Sequence, residues 1–133
     1  MSLDEEKRDL VVRMELEKAY RTMKEAEIMI QHEQWNAAAG RVYYAVVHAI
    51  NALLIHDGFR IKSHKGAYAQ FCMHYVLTGR FPKEAGTLYR QLEIMREESD
   101  YNCFYDVMPE DLQRKLIPAR KLIDDISGMT KSS

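Results

Sequence analysis

Three groups of residues in this sequence have the types and spacing to do chemistry. In MREESDYN, residues 95–102, Arg96 precedes Asp100 by four positions, the step that brings two side chains together along a helix. Tyr101 follows directly. A guanidinium cannot shed its charge, so Arg96 needs a partner wherever it is buried. In WNAAAGRVYYAVVHAINALLIH, residues 35–56, the residues Arg41, Tyr44, His48 and Asn51 recur at steps of three and four. Helical geometry gathers them into one stripe about 80° wide on an otherwise apolar helix. In GFRIKSHKG, residues 58–66, Lys62, His64 and Lys65 have the charge to contact phosphate. Ser63 in the same loop is equally suited to cap a helix through its hydroxyl, with His64 packing locally. The stripe is expected to look toward Arg96, Asp100 and Tyr101. Its other reading is a satisfied polar network that sets helix register.

Other chemistry finds less support in the residue pattern. His48 and His56 lie two helical turns apart, and Cys72 and His74 are separated by one residue. Neither spacing makes the Glu-x-x-His or His-Glu-x-x-His patterns of helical metal sites, so no metal and no cofactor is expected. Cys72 and Cys103 have no visible activating partner and are too few for a disulfide framework. Tyr43, Tyr68, Phe71, Tyr75 and Tyr89 suit core and interface packing better than a base-stacking platform.

The elements that must carry these residues are helices. Apolar positions recur with helical period almost throughout, and no strand-like alternation persists. A first helix is expected over about 4–33, with Val12, Leu16, Ala19, Tyr20, Met23, Ala26 and Ile30 as its stripe. A second, over about 34–57, is apolar nearly all round and so reads as the central helix, ended by Gly58. A loop over 58–66 leads to a third helix over about 65–77, and Gly79 and Pro82 punctuate the next turn. The fourth helix runs from Pro82 to about 99. On its helical wheel Arg96 falls about 20° from Ala85, at the edge of the apolar arc of Leu88, Leu92 and Met95. An irregular link over 101–108 precedes a fifth helix from near Pro109 to Gly128. Asp106 is a candidate cap for it, and Pro118 should kink or interrupt it. Residues 129–133 read as a disordered tail. The expected architecture is all-α: an antiparallel up-and-down bundle of about five helices forming one domain over 4–128.

The chain of 133 residues is one domain's length, with 47% apolar and 29% charged residues. Its net charge of −1 hides an uneven spread. Residues 1–33 and 84–133 each sum to −3, while residues 34–83 carry six bases and one acid, Asp57. A basic middle in an acidic chain suits a phosphate-bearing partner or a solvated surface. No apolar run approaches the length of a membrane span, so no membrane association is expected. The free thiols and the absence of an apolar leader point to the cytoplasm.

Three separated motifs carry a resemblance: WNAAAGRVYYAVVHAINALL, then KSHKG, then FPKEAGTLYRQLEIMREESDY. Together they resemble the small stand-alone HEPN-domain proteins of bacteria and archaea, over about residues 35–125. The resemblance implies a helical bundle that commonly dimerises. It also implies an RNA-directed role in toxin–antitoxin or defence systems, with a nucleotidyltransferase-like antitoxin as a partner of some members. Many HEPN proteins are metal-independent ribonucleases, whose Arg and a His, with four to six residues between them, lie at the dimer cleft. Here the Arg is Arg96, Tyr101 stands five positions on and Cys103 seven, and no His follows His74. By this resemblance Arg96 faces phosphate, Asp100 holds it and Tyr101 donates a hydroxyl. Arg41, Tyr44, His48 and Asn51, with Lys62, His64 and Lys65, would flank the cleft, and His48 or His64 would supply an imidazole from elsewhere in space. The rival expectation is a non-catalytic module that binds a nucleotidyltransferase-like partner.

Overall fold

The apolar periodicity is realised as five α-helices in a computed structural model that describes residues 3–131. They are α1 (Leu3–Gln31), α2 (Trp35–His56), α3 (His64–Phe71), α4 (Lys83–Tyr101) and α5 (Pro109–Thr130), with a π-helical turn (Cys72–Val76) continuing α3. The centre is α2, which packs against α1, α3, α4 and α5. It buries Ala38, Ala39, Val42, Tyr43, Val46, Ile50, Leu53 and Leu54, as its near-continuous apolar surface requires. By length and composition this helix is apolar enough to cross a membrane, which corrects the expectation that no run approaches a span. Its most apolar window is 67% buried inside the bundle, the position of a core helix.

Cross-helix pairs fix the antiparallel register. Arg41 and His48 of α2 meet Glu25 and Glu15 of α1, so ascending positions on one helix meet descending positions on the other. The same holds where Tyr20 donates to Asp124 at 2.6 Å and Arg120 pairs with Glu27, joining α1 to α5.

Helix ends follow local chemistry. Two of them are closed by the same pattern, in which the amide of the third residue past the end reaches back five positions. At α2 these bonds are Phe59 to Leu54 and Gly58 to Ile55, with Gly58 at φ +89°. At α1 they are Gln34 to Met29 and Glu33 to Ile30, and the residue forced to positive φ is Glu33, at +58°. A Cβ makes that conformation costly, so α1 stops at Gln31 against a local penalty. Ser63 caps α3, its hydroxyl accepting from the Gly66 amide at 3.0 Å, and the helix therefore starts at His64.

Several boundaries differ from expectation. The fourth helix extends to Tyr101, so Asp100 and Tyr101 are helical. Asp106 does not cap α5: Met108 occupies the cap position, and the Asp106 carboxylate accepts instead from Asn36 at 3.4 Å. Pro118 does not interrupt α5, which continues to Thr130. Thr130 is buried, its hydroxyl donating to the Ile126 carbonyl at 3.0 Å, so the helix takes in the first two residues read as tail. Ser132 and Ser133 lie outside the described residues.

A polar knot closes the far end of α2. The Asp57 carboxylate accepts from Tyr75, lies 2.8 Å from His56 Nδ1, and stands 3.6 Å from Arg80. Arg80 in turn sits 4.9 Å over the Tyr75 ring. Burial pulls the Asp57 carboxyl up, but the hydrogen bonds from Tyr75 and His56 and the nearby positive charges outweigh it and hold it below its usual value. A depressed folded-state value means the Asp57 contribution is present above the unfolded pKa near 4 and is lost as pH falls through the folded value. Asp57→Asn should therefore cost about 1–2 kcal/mol at pH 7 in urea unfolding, the lower part of the range because the side chain is 24% exposed. The deficit relative to wild type should shrink as the pH is taken below about 4. Glu33→Gly should raise stability by about 0.5–1 kcal/mol in the same assay by relieving the positive φ.

Candidate functional site

Arg96 projects from α4 toward α2, where its guanidinium lies against two tyrosine rings. The carbon Cζ is 5.3 Å from the centre of the Tyr43 ring and 5.7 Å from that of Tyr44. The helix-wheel position at the edge of the apolar arc places it there, and the side chain is only 15% exposed. The stem passes beside Gly40, where a Cβ would stand 3.7 Å from Arg96 Cγ, in ordinary van der Waals contact. One turn along α4, Asp100 Oδ2 is 3.6 Å from Nη1, a contact of opposite charges longer than a hydrogen bond. Arg96 Nε is buried and has no hydrogen-bond partner. Burial lowers the affinity of the guanidinium for its proton, while the neighbouring Tyr44, Tyr43, Asp100 and Glu97 more than reverse this, so the group stays charged.

Tyr44 is the hub. Arg41 Cζ lies 5.5 Å from the same ring that Arg96 contacts. His64, at the first position of α3, meets Tyr44 edge-on at 6.1 Å and Tyr43 at 6.5 Å between ring centres. Behind them Tyr43 meets Tyr89 of α4 at 5.8 Å. Their hydroxyls lie near enough to influence each other but lack hydrogen-bond geometry, and burial pushes both phenols up, so both are neutral at physiological pH.

The sequence-derived stripe is thus only partly gathered. Tyr44 faces Arg96 as expected, and Arg41 reaches the other part of that ring while also pairing with Glu25 at 3.4 Å. His48 turns to α1, where its Nδ1 lies 3.2 Å from Glu15, away from the arginine cluster. Asn51 is half-buried with its side-chain oxygen unpartnered, so no hydrogen bond ties that oxygen to Arg96. The stripe is wide enough that its two edges face different helices. Tyr101 is 80% exposed and touches neither Arg96 nor Asp100 through a hydrogen bond. Lys62 and Lys65 are exposed and form no ion pair among the described residues. Ser63 caps α3 while His64 packs on the tyrosines, so the SHKG loop has the structural role expected of one reading and leaves its lysines free.

Tyr43 was absent from the sequence-derived site because its wheel position lies on the opposite side of α2 from Arg41, among core aromatics. The adjacent pair Tyr43–Tyr44, beside the helical Gly40, was the available signal. Among the described residues no three His, Cys, Asp or Glu side chains gather as metal ligands would.

The geometry defines a helical-bundle protein with an arginine held against two tyrosine rings, its terminal nitrogens making no hydrogen bond among the described residues. The HEPN domain model matches residues 12–129, and the chain belongs to the HEPN domain family. It is 27% identical over 112 residues to a UPF0332 protein of Thermotoga maritima, covering 84% of this chain and 85% of that protein. It is 27% identical over 116 residues to a Methanocaldococcus jannaschii protein named "Putative toxin MJ0605", covering 87% and 86% of the two chains. A second protein of that organism, "Putative toxin MJ0142", is 22% identical over 98 residues, 74% of this chain and 67% of that protein.

Because Arg96 gives its own fold stem packing, cation–π contact and one long ion pair with a half-exposed Asp100, Arg96→Met should keep the fold. Its unfolding free energy should stay within about 1–2 kcal/mol of wild type. A loss of about 3 kcal/mol or more would mark the residue as a structural ion-pair partner instead.

Proposed function

We propose that this chain is a toxin-like HEPN module that binds RNA phosphate through Arg96 and works as a homodimer in the cytoplasm. One observation carries the reading: the Tyr44 ring is shared by two guanidinium groups, Arg41 and Arg96, with His64 at its edge. Two cations against one aromatic ring, one of them with no hydrogen bond among the described residues, form a receptor oriented before any anion arrives. Exposed Lys62, in the loop before α3, and Lys65, in its first turn, add positive charge on either side of His64. The names of the two Methanocaldococcus relatives support the toxin setting.

The arrangement suits RNA phosphoryl transfer without a metal. The 2′-hydroxyl oxygen attacks the adjacent phosphorus, the bond from phosphorus to the 5′ oxygen breaks, and a cyclic phosphate and a 5′-hydroxyl result. Arg96 and Arg41 would balance charge on the phosphoryl oxygens. His64 is the imidazole best placed to take the 2′ proton or to protonate the leaving oxygen, since His48 is engaged by Glu15.

A second reading is a non-catalytic module that binds a nucleotidyltransferase-like partner. It is favoured by the absence of any histidine on α4 beside Arg96.

The test is cleavage of a mixed RNA pool by the purified protein in EDTA. Wild type should cleave, Arg96→Met should fall by about 100-fold or more, and His64→Gln by a comparable factor, while His48→Gln stays near wild type. Absence of cleavage by wild type, with RNA binding retained, would transfer the assignment to the non-catalytic reading.

A further inference from the structure

Beyond Arg96 the surface changes character. Residues 97–111 contain six acids (Glu97, Glu98, Asp100, Asp106, Glu110 and Asp111) and no base. Subtracting the two arginines that pair with this surface, Arg96 with Asp100 and Arg114 with Asp111, leaves four uncompensated negative charges. The carbonyl end of α4 adds a negative partial charge at the same place. Within this acidic field stand Phe104, 95% exposed, Tyr101, 80% exposed, and Met108, 60% exposed. Phenylalanine is among the residues most often buried, so one left almost wholly in solvent is informative when apolar neighbours accompany it.

The segment is pinned. Asn102 donates to Glu98 at 2.8 Å and accepts from the Phe104 amide at 3.0 Å. The Val107 amide donates to Asn36 on α2 at 2.8 Å, and the Val107 side chain is buried. The link is thus anchored at both ends while Phe104 and Met108 remain outside. Little ordering entropy is left to lose when something docks there.

We infer that this surface is a docking site for a basic, apolar segment of a partner protein. Its apolar side chains would seat on Tyr101, Phe104 and Met108, and its cations would face Glu97, Asp100, Asp106 and Glu110. Charge decides among occupants. An RNA backbone is repelled by the acidic field. In a second copy the loop bases Arg60, Lys62 and Lys65 have their apolar neighbours Phe59 and Ile61 packed on their own core, and exposed Ile117 among Arg114, Arg120 and Lys121 is the segment that would compete, which the sedimentation outcome below separates from a partner. A segment bound here covers Asp100 and shields Arg96, so the partner would also regulate the anion site. That consequence alone rests on the RNA reading above.

The full-length protein would be titrated into a labelled synthetic peptide of about 18 residues, leucine and lysine in helical amphipathic order. Two controls replace every lysine by glutamate or every leucine by serine. The leucine–lysine peptide should bind and both controls should not. Phe104→Ala and the double change Glu97→Lys with Asp106→Lys should each weaken binding by about tenfold or more. Ile117→Ala, at an exposed apolar residue elsewhere, should leave it unchanged. Equal affinity for Phe104→Ala and wild type overturns the inference. So does dissociation of a dimer by Phe104→Ala in sedimentation, which would assign the patch to a second copy, or loss of single-stranded RNA binding in that variant. Displacement of RNA by the peptide supports the regulatory consequence. If wild type binds no RNA, the reading of Arg96 fails, and peptide affinity still decides the surface.

Discussion

A guanidinium that cannot be neutralised and is mostly out of water constrains everything around it. Arg96 meets that demand with two tyrosine faces, one carboxylate at 3.6 Å and a narrow opening to solvent. The tyrosines must come from consecutive positions of α2, and α4 must approach closely enough for the stem to lie by Gly40. Fixing the arginine thus fixes the azimuth of α2 and the distance of α4 together. A hydrogen-bonded network would satisfy the same charge, but it would leave no donor for an incoming anion.

The charge pattern divides the molecule into two surfaces with opposite preferences. On one, Arg41, Arg96 and His64 meet at the Tyr44 ring, and exposed Lys62 and Lys65 neighbour His64 along the chain. On the other, residues 97–111 combine acids with exposed aromatic and thioether side chains. The boundary is a single helical turn of α4, from Arg96 to Asp100. Asp100 belongs to both, being the counter-ion of the arginine and one of the six acids of residues 97–111. A family member whose α4 carries no histidine can still have an imidazole at the cluster, because α3 supplies His64 across the Tyr44 ring.

Stability is held at a distance from the cluster. Asp57, Tyr75, His56 and Arg80 tie the far end of α2 to the π-helical turn, and Glu15 and Glu25 tie its solvent-facing edge to α1. These contacts hold α2 at points away from Arg96. The same α2 passes for a membrane span on composition alone. Burial on all sides requires the same continuous apolar surface that lipid would, so only the surrounding helices distinguish the two.

The sequence by itself determined the all-α bundle, the central place of α2, the Gly58 end, the Ser63 cap and the Arg96–Asp100 spacing. Each depends on chemistry within a few residues along the chain: apolar period, a glycine that tolerates positive φ, a hydroxyl three residues before a free amide, a four-residue step. Where local rules compete, they were a weaker guide. Glu33 takes a glycine's conformation, Pro118 is carried within a continuous helix, and Asp106 bonds to Asn36 rather than capping α5. Only the tertiary structure decided which face of the polar stripe meets which neighbour. His48 and Tyr44 are one turn apart on α2, yet one meets Glu15 of α1 and the other Arg96 of α4. Helix periodicity gives a residue's angle about its own axis; what stands at that angle depends on the rotation and register of other helices, which packing of the whole core sets.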